Sequence, residues 1–260
     1  MKMKRIIALV LLTVMTVTAL SSCGLTPDAM ILKADKALRE NPYSITSDIE
    51  YITENEELNA LFTQMDMSEV VTYVDGDNIK TSISISVMGF EAGYNCVLVD
   101  NVLYNTATVG GMSATKLKAT LTEEEIDEFI DGSGSSELVS ADDFAKLELK
   151  KDGNTYTIIG KDAANDYLDE ALADVEEQLE ALDFDVTIDR ADLEMVLEDE
   201  KYKTVTIVFT CTFSSGNDSY TVTIKNTNEF AYGDEYAVSA PADADKYIDV
   251  DYDEIFGNIG

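Results

Sequence analysis

Thr204-Val205-Thr206-Ile207-Val208-Phe209-Thr210-Cys211-Thr212-Phe213 sets an apolar side chain at every odd position and, Val208 apart, a threonine at every even one. That period of two belongs to a β-strand with one buried face, since a helix would space its apolar residues by three and four. Cys211 falls on the apolar face. Outward from this stretch the same pattern recurs. Ser215-Gly216-Asn217-Asp218 turns the chain into a strand over 219–225, and 185–189 and 193–198 read as two further strands before it. Strands are expected at 43–53, 67–75, 78–88, 93–99, 102–107 and 114–120, with Asp75-Gly76-Asp77-Asn78 and Asp100-Asn101 as hairpin turns. A second hairpin pairs 145–149 with 155–159 through Lys151-Asp152-Gly153-Asn154, and a short strand at 236–239 stops at Pro241.

Helices interrupt this series. Thr26 reads as an N-cap with Pro27 at the first helical position, and Met30, Ile31, Ala34, Ala37 and Leu38 form one apolar stripe over 27–40. Residues 55–65 read as a short helix or a loop. Thr122-Glu123-Glu124-Glu125 is a capping box opening a helix that carries Ile126, Phe129 and Ile130. The strongest helical periodicity is at 164–182, through Leu168, Ala171, Leu172, Val175, Leu179 and Leu182. Its other face is acidic, which is ordinary for a solvated face. The expected fold class is α+β: one curved antiparallel sheet with two or three helices on one face.

The chain begins with Lys2, Lys4 and Arg5, then runs uncharged from Ile6 to Leu20 and reaches Leu20-Ser21-Ser22-Cys23-Gly24. A basic start, a short apolar run and small residues before the cut make a secretion signal. The ending resembles the lipobox of bacterial lipoproteins. That resemblance implies cleavage before Cys23, a diacylglycerol on its thiol, and anchorage to the outside of a bacterial membrane. A plain signal peptide with Cys23 incidental is the other reading. A membrane-spanning anchor fails on length, because a span needs about twenty apolar residues. The expected organisation is a signal peptide at 1–22, the acylated cysteine and a short tether at 23–26, and one domain over 27–260.

Of the 18 basic residues three lie in the leader, so the mature chain sets 15 against 51 acidic ones. Such a charge excludes nucleic acid as a partner and disfavours unaided adsorption to anionic membranes. The chain has no histidine. This removes Ser-His-Asp and Cys-His catalysis and histidine-held metals, leaving carboxylate chemistry to any enzyme reading. Asp249-Val250-Asp251-Tyr252-Asp253-Glu254 fails as a calcium loop, since Glu254 stands where glycine is needed and Gly260 where glutamate is. Val109-Gly110-Gly111-Met112 lacks the Lys-Ser/Thr pair of a phosphate loop. No metal, cofactor or catalytic residue is expected. Cys96 and Cys211 are either a disulfide or two buried small hydrophobes.

The order of elements, with Phe230-Ala231-Tyr232-Gly233-Asp234, Val238, Ala240-Pro241, Ala244 and Tyr247 at the end, is similar to the LolA-like superfamily of bacterial lipoproteins. The resemblance implies an incomplete β-barrel whose apolar concavity holds lipid or acyl chains in several members. Ile83, Ile85 and Val87 on one strand and Ile207, Phe209 and Phe213 on another would then line that space, with Met88 and Met112 at its mouth. Taken singly, each of these also reads as ordinary core. Three functions compete: binding of a lipid or other hydrophobic ligand in a cavity, a surface interaction or structural module with a filled core and acidic exterior, and an envelope enzyme with two carboxylates facing across a cleft.

Overall fold

The computed structural model describes residues 26–66, 70–87, 90–110, 112–132, 146–163, 185–215 and 218–256. The signal and lipobox readings and the helix expected at 164–182 lie outside them. The strands are β1 Tyr43–Ile52, β2 Met65–Asp66, β3 Val70–Asp75, β4 Asn78–Val87, β5 Phe90–Val99, β6 Val102–Val109 and β7 Met112–Thr120. They continue with β8 Leu147–Asp152, β9 Thr155–Gly160, β10 Asp185–Glu198, β11 Lys201–Ser215, β12 Asp218–Tyr232 and β13 Ile248–Asp249. All belong to one sheet in the order β13-β7-β6-β5-β4-β3-β1-β12-β11-β10-β9-β8, with β2 paired to β4. Every pairing is antiparallel except that of β13 with β7. The helices among the described residues are α1 Pro27–Glu40, α2 Glu56–Gln64, α3 Glu123–Gly132 and α4 Tyr252–Phe256. The fold class is α+β, dominated by the sheet.

Local chemistry explains most of these elements. Thr26 holds the extended N-cap of α1, Pro27 follows it, and the Met30 N–H donates to the Thr26 carbonyl at 3.1 Å. At α3 the capping box forms in both directions. The Thr122 N–H donates to Glu125 Oε2 at 2.7 Å, and the Glu125 N–H donates to Thr122 Oγ1 at 3.3 Å. Asp100 and Asn101 both take positive φ in the two-residue turn between β5 and β6, as the favoured hairpin geometry requires.

Three expectations are corrected. The strands anticipated at 185–189 and 193–198 are one, β10, because a register shift between Ile188 and Arg190 lets the ladder continue past Asp189. β12 does not end near 225 but runs to Tyr232. Its polar stretch Asn226-Thr227-Asn228 is hydrogen-bonded on both sides, by β11 and by β1. Residues 236–239 form no strand; a 3-10 turn at Asp234–Tyr236 precedes an irregular stretch.

The β1–β12 ladder, ten residues from Tyr43↔Tyr232 to Ile52↔Thr223, joins the β3–β7 half to the β8–β11 half. Following the registers across the sheet puts both main core clusters on the same face. In one, Met30, Ile31 and Ala34 of α1 pack on Leu193, Met195, Leu197, Val205 and Ile207. Tyr202 ties α1 to the sheet through a hydroxyl that donates to Asp35 Oδ1 at 2.8 Å. In the other, Cys96, Leu98, Leu103, Ala119 and Leu121 gather under Ile255 of α4 and Ile126 and Phe129 of α3. Between the clusters the same face is polar, with Ser47 Oγ donating to Asn228 Oδ1 at 2.5 Å and the Thr72 and Thr81 hydroxyls 3.2 Å apart.

Cys96 and Cys211 are free and buried. The path from β5 to β11 crosses five strand spacings, about 24 Å along the sheet, where a disulfide needs Cα atoms within about 7 Å.

Candidate functional site

On the inner face of β4–β7 the registers align Ile83 with Tyr94, Tyr94 with Ala107 and Ala107 with Thr115, while Ala92 faces Val109. Ala92 and Ala107 are small where the neighbouring rows carry large side chains. The space they leave is a half-open cavity of about 540 Å³, lined by Ile83, Ala92, Gly93, Tyr94, Asn105, Ala107, Thr108, Val109, Thr115, Leu117, Glu254 and Ile255. This is within the range of small-molecule sites. Exposure along β6 gives its direction. Leu103 is 0% exposed, Asn105 6% and Val109 44%, so the floor lies toward Leu103 and the mouth at the β6–β7 hairpin tip.

The floor is polar but uncharged at neutral pH. Asn105 Nδ2 donates to the Tyr94 hydroxyl at 2.9 Å, and the Cys96 thiol lies beside that hydroxyl. Burial pushes the Cys96 thiol up to about 12, and burial likewise raises the Tyr94 phenol. Both groups therefore stay protonated at neutral pH, and Cys96 offers no thiolate there. Glu254, exposed on α4, is the one carboxylate among the described lining residues. The arrangement suits an apolar body with few polar groups. Among the described lining residues no second carboxylate faces Glu254.

The wall formed by α4 depends on a long wrap of the C-terminal chain. Val238 packs on Val97 and Val99 of the opposite sheet face. Tyr247 then meets Tyr104 edge-on at 5.2 Å, and its hydroxyl is 2.7 Å from Thr106 Oγ1. The Lys116 ammonium pairs with Asp243 at 2.5 Å and lies over the Tyr247 ring. The chain next rounds the sheet edge as β13, alongside Leu117 and Lys118. It then forms α4 on the core-bearing face, with Ile255 3% exposed.

Of the residues anticipated from sequence, Ile83 lines this cavity. Ile207 is buried under α1 and Phe209 packs against the same cluster, because α1 covers that part of the face. Phe213 is half-buried near the far end of β11, away from the cavity lining. Met112 is 74% exposed at the hairpin tip, beside the mouth rather than in its wall. The side chains of Ile85 and Val87, and the whole of Met88 and Cys23, lie outside the described positions. Tyr94, Asn105, Leu117, Glu254 and Ile255 were not anticipated. Ala92 and Ala107, small residues within strong strands, are the sequence signal that could have marked space there, whereas Gly93 allows a close approach, a Cβ on it lying 2.5 Å from Thr108 Oγ1. No protein-family model matches the chain, and no curated protein sequence matches it.

Proposed function

We propose that the protein is an extracytoplasmic lipoprotein, anchored to a bacterial membrane by acylated Cys23, that binds a lipid or other hydrophobic ligand without chemical conversion. The observation that carries this reading is the half-open cavity of about 540 Å³ walled by Ile83, Ala92, Ala107, Val109, Leu117 and Ile255. Ligand sites are characteristically apolar clefts with a few fixed polar groups, and the Tyr94–Asn105 pair supplies such groups at the floor. The curved, barrel-like sheet of the LolA-like proteins agrees with both helix-covered clusters sharing one face. A filled-core interaction module predicts no such space, and a two-carboxylate enzyme predicts a second acid in the lining.

Native mass spectrometry of the mature chain tests the reading. The mature body, residues 24–260, is expressed in a bacterial envelope and purified without detergent. An adduct that disappears on organic extraction and is identified as lipid supports a carrier or sensor. A clean apo mass with no uptake of added lipids overturns it in favour of the interaction module. Anchorage is tested separately, by the acyl mass on the N-terminal peptide beginning at Cys23.

A further inference from the structure

The two ends of the β3–β7 half differ in charge. One end holds the β3–β4 and β5–β6 turns, Asp75-Gly76-Asp77-Asn78 and Asp100-Asn101, with three carboxylates. The other holds the β4–β5 turn after Val87 and the β6–β7 turn after Val109. The strand ends beside those turns are adjacent, since Ala92 faces Val109 and the Gly110 N–H donates to the Glu91 carbonyl at 2.8 Å. Neither 81–90 nor 101–115 contains a charged residue, in a chain where 27% of residues are charged and the net charge is −33. The nearest acids on β5 and β2, Glu91 and Asp66, hold register positions on the opposite face of the sheet from Ile83 and Val109.

Large apolar side chains are also exposed at this end. Met112 is 74% exposed and Val109 44%, both at the β6–β7 tip. Val109 is at once exposed and part of the cavity wall, so the apolar tip and the cavity mouth are continuous.

We infer that this uncharged end, centred on Val109 and Met112, docks on a lipid bilayer and sets the cavity mouth against it. The ligand chemistry of the cavity selects the occupant. An acyl chain passing from a bilayer over Met112 and Val109 to Ile83 and Leu117 meets no charged lining residue on β4–β7, and Glu254 of α4 is the one carboxylate among the described lining residues. The charge balance fits a zwitterionic bilayer: the acidic body is repelled by anionic lipid, a zwitterionic surface lacks that repulsion, and the apolar tip gains from contact with it. The inference takes its purpose from the ligand-binding reading above, but it is tested independently.

The full acylated chain is reconstituted on phosphatidylcholine vesicles with a polarity-sensitive fluorophore at Met112→Cys or, as a control, at Asp77→Cys at the opposite end. Cys96 and Cys211 are buried and do not compete for label. The expected result is a blue-shifted label at 112, quenched by lipid-borne quenchers, and a label at 77 that stays in water. Equal, unquenched labels overturn the inference. So does a label at 112 that shifts with added envelope protein but not with vesicles, which assigns the tip to a protein partner. A second measurement uses the unacylated mature body, residues 24–260. Val109→Asp with Met112→Asp lowers co-sedimentation with phosphatidylcholine vesicles about tenfold while leaving far-ultraviolet dichroism unchanged. Unchanged co-sedimentation overturns the inference. Docking without retained lipid defeats the ligand-binding reading alone, and retained lipid with residue 112 in water defeats the docking face alone.

Discussion

The β8–β11 half of the sheet is covered by α1, fourteen residues long, whereas the pocket in the β4–β7 half is walled by α4, which has five. Both lie on the same face of one continuous sheet. Under α1, Leu193, Met195 and Leu197 fill the space to Met30 and Ala34. At the other end Ala92 and Ala107 stand where such residues would be, and a cavity remains. One ladder system thus carries a solid core and a hollow one. The difference is set by side-chain size and by which segment covers the strands.

The largest effect is expected in the solid half. Leu197→Ala removes a fully buried side chain and is expected to destabilise by about 2–5 kcal/mol in denaturant unfolding. Ile83→Trp, filling the hollow half, is expected to cost no more than about 1.5 kcal/mol while abolishing lipid retention in native mass spectrometry. Equal destabilisation by the two would erase the distinction between the halves. Tyr202→Phe leaves ring packing intact but takes the hydrogen bond from Asp35, with an expected loss of about 1–2 kcal/mol in the same unfolding measurement.

Smaller still is the contribution of the C-terminal wrap at its Lys116–Asp243 pair. The Lys116 hydrogen bond holds the Asp243 carboxyl below its usual range, and Asp243 raises Lys116 in turn. A lowered acid stabilises the fold above its unfolded value and loses that contribution as pH falls through the lowered one. A raised base contributes fully below its unfolded value and loses that contribution as pH rises through the raised one. The pair is therefore expected to hold between about pH 4 and pH 10. Proteolysis after the β12 end is expected to quicken below that window, and Asp243→Asn to remove the dependence. A wrap equally resistant across the range would show that Tyr247 and Ile255 hold it without the ion pair.

The solid half was more legible in the sequence than the hollow one. The alternation from Val205 to Phe213 and the stripe Met30-Ile31-Ala34 carry their own period, and the structure buries most of those residues. The hollow half is built from relations that no local period encodes. Ala107 borders space because it faces Tyr94 and Thr115 across two ladders, and Ile255 reaches that space after rounding the edge of β7. Phe209 and Ile207 fit the alternation of a lining residue equally well, and α1 decided that they are core.

From the sequence alone came the strand period, the turns, the capping box at Thr122 and Glu125, the absence of histidine and the acidic charge. Each is a property of neighbours along the chain, where propensity, capping and composition act. The tertiary structure decided which strand lies beside which, that β1 and β12 join the halves, and that the C-terminal chain crosses from one face to the other. It also left a cavity where Ala92 and Ala107 meet. Those outcomes depend on contacts between residues far apart in sequence, and burial of a side chain is settled by what covers it.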